Sequence, residues 1–151
     1  MRFQEAQTTW TRWFNFHSKA HMLKRYPEAW DWMKEQTKPI YLQAHDPDIP
    51  WSLTFPRQDI QEHFGYYEAD GSFVDETFFN CSASWLLAFA IMERFQRIEL
   101  WGIEVARPEF AFERPCIAYW IGRARQAGIN VFLPENVTLC KAPSIYGYET
   151  T

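Results

Sequence analysis

Between Arg97 and Pro134 the chain alternates strand, helix and strand, and no other stretch restricts its fold as tightly. RIELWGIEV (97–105) is dense in branched and aromatic residues and predicts a strand. A loop containing Pro108 follows, then a helix that starts at about Glu109 or at Pro115 and runs to Ala127. Gly128 ends that helix, and INVFLP (129–134) predicts a strand that stops at Pro134. Strands joined through a helix pair in parallel, with a right-handed crossover.

The earlier sequence extends the same alternation. TRWFNFH (11–17) predicts a short strand, and Ser18 an N-cap for a helix through about Arg25. Pro27 sits at the first position of a second helix, PEAWDWMKEQ. KPIYLQ (38–43) predicts a buried strand, HDPDIPWSLTFP (45–56) a loop, and RQDIQEHFG a short helix stopped by Gly65. In YYEADGSFV (66–74), Asp70-Gly71 between apolar flanks signals a hairpin. A helix from Ser82 to about Phe95 is apolar nearly all round from Trp85 to Met92, so it is expected to be buried on most faces. The expected fold class is α/β: a single domain over 1–151, small, three-layered and Rossmann-like, with a mostly parallel sheet of about four strands plus a hairpin.

Composition excludes several function classes. A net charge of −4 argues against a general nucleic-acid binder, which carries a basic stripe. Cys81, Cys116 and Cys140 are far apart, with no CxxC, so neither a zinc ribbon nor a disulfide framework is expected. Reducing, cytoplasmic surroundings fit that usage. MRFQEAQTTW has no apolar core of a signal peptide, and the run Trp85–Met92 is too short to span a membrane. The aromatic content is 19%, with eight Trp. It points to a ring-built core, to two or three rings lining a ligand site, and to a homo-oligomer.

In a parallel sheet, ligands sit beyond the carboxyl ends of strands and at helix N-termini. That rule collects Asn15, His17 and Lys19 after the first strand, and His45 and Ser52 after the second. It adds Asn80, Ser82 and Ser84 at a helix start, Glu104 and Arg107 after the strand at 97–105, and Glu135 and Asn136 after the last strand. In NCSASW (80–85), Asn80 or Ser82 suffices as the cap. Ser84 is then surplus, and its hydroxyl would join the free N–H groups of the first turn in an anion site. The competing reading is a redundant cap.

Glu104 suits a ribose or sugar hydroxyl, or caps the turn that follows it. Arg114 offers a planar fork to phosphate, or is a solvated surface residue. His17 and His21 are four apart in HSKAH, but the Glu of HExxH is missing and His17 ends a strand, so no metal is expected. Ile117, Ile121 and Ala124 are expected to face the core, with Trp120 packed on the sheet or on a second subunit. No GxGxxG, P-loop or GxSxG occurs, and no cofactor is expected.

On NCSASWLLAFAI, RIELWGIEV and GINVFLP, with NFH at 15–17, the chain resembles a family of phage-encoded α/β proteins. More distantly, over about 80–133, it is similar to bacterial sialyltransferases that use CMP-sialic acid. The matching residues are Ser82, Gly102 and Glu104. The resemblance implies a nucleotide bound at the strand ends, in the host cytoplasm. Those transferases carry a general-base His after the core. All four His here, at 17, 21, 45 and 63, precede the NCSASW helix. The expected function is therefore nucleotide binding without catalysis, such as the sequestering of a nucleotide signal of host defence. One alternative is a glycosyl- or nucleotidyl-transferase, with His17 or Glu104 as base and Ser82, Ser84 and an Arg on phosphate. Another is a protein-interaction module.

Overall fold

The computed structural model describes residues 10–103, 105, 107–142 and 144–147. It is a mixed α/β protein with parallel strands, and the chain divides into two compact units, Met1–Arg57 and Gln58–Thr151.

In the first unit, β1 (Trp13–Phe14) leads to α1 (Lys19–Arg25), α2 (Pro27–Lys34), β2 (Ile40–Leu42) and β3 (Ser52–Thr54). The strands lie in the order β1-β2-β3, all parallel, with Trp13 opposite Ile40 and Ile40 opposite Ser52. The local signals act as expected. The Ser18 hydroxyl accepts from the His21 N–H at 3.3 Å, and Pro27 opens α2.

Alternation along β1 and β2 then sorts the rings onto opposite faces. Trp13 packs with Trp10 and Trp32 beside a core of Met22, Trp30, Met33, Ile40 and Ile49. Phe14 stacks on Tyr41 at 4.9 Å, with Phe55 edge-on.

One expectation is corrected here. Residues 45–56 are not wholly loop, because Ser52–Thr54 form β3. Ile49 is 0% exposed and anchors the β2–β3 connection in the core, so a loop without a helix delivers a parallel strand.

In the second unit, α3 (Arg57–His63) begins at the unit boundary. The hairpin β4 (Tyr66–Tyr67) and β5 (Phe73–Val74) follows, then α4 (Ser82–Met92), β6 (Arg97–Glu99), α5 (Glu113–Gln126) and β7 (Asn130–Phe132). The hairpin turns where Asp70-Gly71 placed it. Gly71 has φ +84°, and the Asp70 carboxylate accepts from the Ser72 N–H and hydroxyl. β6 and β7 are parallel across α5, and α4 packs on α5.

Between β6 and α5 lies a short 3-10 turn, Pro108–Phe110. α5 itself starts at Glu113, so Pro115 falls in the first turn, where its missing N–H costs nothing. Cys116, Ile117, Trp120, Ile121 and Ala124 of α5 are buried. Trp120 therefore packs within its own unit.

Three expectations differ. The parallel strands do not form one sheet of about four; among the described residues they fall into a three-stranded and a two-stranded sheet. The strand expected over 97–105 ends at Glu99, and Gly102, with φ +70°, turns the chain away from extended backbone. The helix from Ser82 stops at Met92 rather than Phe95. Arg94 takes φ +59°, and the Phe95 N–H closes back on the Ala90 carbonyl at 3.1 Å.

Candidate functional site

The strand-end rule leads to a separate place in each unit. In the first, Asn15 and His17 leave β1 in a tight turn: the His17 N–H donates to Asn15 Oδ1 at 3.2 Å, and Asn15 Nδ2 donates to the His17 carbonyl at 3.4 Å. Asn15 is buried. A hollow of about 150 Å³ opens beside His17, lined also by Lys19, Trp30, Gln43, His45 and Asp46.

Ser52 supports this hollow from beneath. It is buried, its hydroxyl accepts from the Asp46 N–H at 2.9 Å, and it lies 2.9 Å from His45 Nδ1 and 3.0 Å from the Asp46 carbonyl. It opens β3 rather than lying in a loop after β2, and it orients the His45–Asp46 turn.

Lys19 is paired with acid. Its ammonium reaches Asp46 at 2.8 Å and Asp48 at 2.7 Å, so one positive charge faces two carboxylates. Hydrogen bonding to Lys19 holds the Asp46 carboxyl below its usual range. A lowered folded value stabilises the fold above the ordinary carboxylate range, about pH 4, and that stability is lost as pH falls through the lowered value. Chemical unfolding at pH 6 and pH 3 should show wild type losing more stability on acidification than Lys19→Met.

His17 and His21 stack, with centroids 4.6 Å apart. Among the described residues no group of three or more His, Cys, Asp or Glu is placed to hold a metal.

In the second unit a cleft of about 410 Å³ opens beyond the carboxyl ends of β6 and β7, lined by Trp101, Gly102, Val105, Asn136, Thr138 and Leu139. The Trp101 indole is 65% exposed and lies tilted against Phe132, with its N–H donating to Glu99. On the other side, the Arg114 guanidinium donates to the Thr138 hydroxyl at 3.1 Å and to its carbonyl at 2.6 Å. Arg114 thus fixes one wall from the first turn of α5, with further N–H donors remaining on its fork. Glu104, expected at this strand end, lies outside the described residues.

NCSASW behaves differently from expectation. The N-cap position is Cys81, whose side chain makes no capping hydrogen bond to the first-turn N–H groups. Asn80 is exposed and its amide donates to the Phe112 carbonyl, which ties the starts of α4 and α5 together. Ser82 is the first helical residue and is exposed. Neither is the cap.

Ser84 is 0% exposed and donates to the Cys81 carbonyl at 2.7 Å, so it faces the interior and not a phosphate. The reason is helical phase. Ser84 shares a stripe with Leu87 and Ala88, which are buried against the core. Ser84→Ala should lower stability by about 1 kcal/mol, measured by denaturant unfolding, and leave ligand affinity unchanged.

Of the expected contacts, His17 and Lys19 line the hollow of the first unit with Asn15 hydrogen-bonded to His17, Asn136 lines the cleft of the second, and Arg114 braces its Thr138 wall. Trp101 and Thr138 were missed. Trp101 was hidden inside a run that reads as strand, and Thr138 lies in a loop with no motif. Among the described residues no helix is long and apolar enough to cross a membrane. Searches against protein-family models, curated proteins and solved structures find no match to this chain.

Proposed function

We propose that the protein binds a nucleotide or nucleotide-derived small molecule in the β6–β7 cleft and releases it unchanged. The observation that carries this reading is the pairing of an exposed indole, Trp101, with an arginine-braced polar wall at Thr138, in one cleft beyond parallel strand ends. At about 410 Å³ the cleft lies within the ordinary range for small-molecule sites. The Trp101 ring offers a stacking face to a base. The remaining N–H donors of Arg114 and the start of α5 suit a phosphate. Asn136 supplies hydrogen bonds to the sugar or the base edge.

The Rossmann-like character belongs to the same proposal, supported by the β6–α5–β7 unit. So does a role in sequestering a host nucleotide signal, which rests on the resemblance to phage proteins. Self-association is supported by the exposed rings of Tyr67, Phe73 and Phe112, and sizing in solution tests it.

Calorimetry against mono-, cyclic and ADP-ribose-type nucleotides tests the binding. One class should bind, with affinity falling about tenfold or more in Trp101→Ala, and should be recovered chemically intact after long incubation. Absence of binding across the panel would refute the reading. A transformed ligand would make the protein an enzyme.

A further inference from the structure

A second cavity lies in the first unit, where the chemistry differs. It is a slot of about 190 Å³ between β1 and the α1–α2 pair, walled by Trp13, Met22, Tyr26, Trp32 and Met33, with Asn15 among its lining residues. Its volume matches roughly six waters of liquid, the bulk of one fused ring system and not of a whole nucleotide.

The walls are apolar and aromatic, so they suit the faces of a flat ring. Asn15 is 7% exposed, and among the described residues its amide spends one N–H and one lone pair on the backbone of His17. One N–H and one lone pair remain. An Asn amide with that pair available matches the adjacent donor and acceptor on the edge of an adenine-type base.

His17 also lines the polar hollow described above, so the slot and the hollow meet at that residue. The hollow carries His45, Lys19 and Asp46, groups that suit sugar hydroxyls. It does not suit phosphate, because Lys19, Asp46 and Asp48 together carry one net negative charge.

We infer that the first unit holds a separate site for an uncharged purine nucleoside, with the base in the Trp13–Trp32 slot read by Asn15 and the sugar beside His17 and His45. The site stands on the geometry of the first unit alone and does not depend on the β6–β7 cleft.

The test is calorimetric titration of the full chain with adenosine, uridine and adenosine monophosphate. Adenosine is expected to bind about tenfold or more tightly than uridine, since the single ring of uracil leaves part of the apolar slot unfilled. It is expected to bind no more weakly than the monophosphate. Binding should fall about tenfold or more in Asn15→Leu, from the lost base-edge pair, and in Tyr26→Ala, from the lost aromatic wall. It should persist in Trp101→Ala. If Asn15→Leu fails to fold, Tyr26→Ala carries the test, because Tyr26 lies at the exposed rim.

Three results overturn the inference: no adenosine binding by wild type, a preference of more than about tenfold for the monophosphate, or loss of adenosine binding in Trp101→Ala with Tyr26→Ala unaffected. The last result would place adenosine in the β6–β7 cleft. Failure of nucleotides to bind that cleft, with adenosine still bound, would refute the proposed function and leave this site standing.

Discussion

Trp120→Ala should lower the unfolding free energy by about 3–5 kcal/mol, enough to unfold most of a marginally stable domain. Trp120 is 0% exposed. Its ring stacks nearly parallel on Phe79 at 4.8 Å and lies 4.8 Å from Phe64, edge-on, with the Arg123 guanidinium 5.2 Å from its centre. Truncation opens a cavity bounded by rigid rings that cannot collapse into it.

The hydrogen bond matters less. Trp120 Nε1 donates to the Phe78 carbonyl at 2.9 Å, but the Cys116 thiol reaches the same oxygen at 3.0 Å, so that acceptor stays partnered. Trp120→Phe should therefore keep more than half of the lost stability. Denaturant unfolding of both variants checks the pair, and a loss below about 1 kcal/mol in Trp120→Ala would contradict the packing.

Arg123→Met should cost about 3 kcal/mol. The Glu76 side chain is 9% exposed. Its carboxylate accepts from the Tyr119 hydroxyl at 2.6 Å, the Phe78 N–H at 2.9 Å and Arg123 at 3.2 Å. Arg123 supplies the one formal positive charge in this set. Removing it leaves a buried carboxylate with neutral partners only, which costs more than the pair was worth. The cost sits at the low end because the Arg123 side chain is 34% exposed, and water already screens the pair. Adding Glu76→Gln to Arg123→Met should recover part of the loss, since the uncompensated charge goes with it. A double-mutant cycle by chemical denaturation measures that coupling. Additive losses would show that the two side chains do not act together.

Much of the fold was legible because its signals are local. Ser18 and Pro27 mark helix starts through groups within one turn. Asp70-Gly71 closes a hairpin because Gly71 reaches φ +84° without steric cost. Ile117, Ile121 and Ala124 repeat at helical spacing and are buried accordingly. The candidate site was less legible. The strand-end rule collected Asn15, His17 and Asn136, and Arg114 was read from its place near a helix start, whereas Trp101 and Thr138 follow no motif. The strand at Ser52–Thr54 also escaped, because a proline-punctuated segment became β3 through pairing with β2 and burial of Ile49, both long-range effects.

NCSASW shows where local reading stops. By itself the sequence determined that a helix starts there, because polar residues precede an unbroken apolar run. Only the tertiary structure decided the phase of that helix against the core. It turned Ser84 inward with Leu87 and Ala88, left Ser82 in water and drew Asn80 to the start of α5. Hydrogen-bonding capacity is a property of the residue, whereas direction comes from which stripe of the helix finds apolar partners. Those partners, on α5, are distant in sequence. The same physics separated the binding candidates: Lys19 carries a cation in any context, but Asp46 and Asp48, brought to it by the β2–β3 connection, cancel that charge and leave Arg114 as the phosphate-facing group of the proposal.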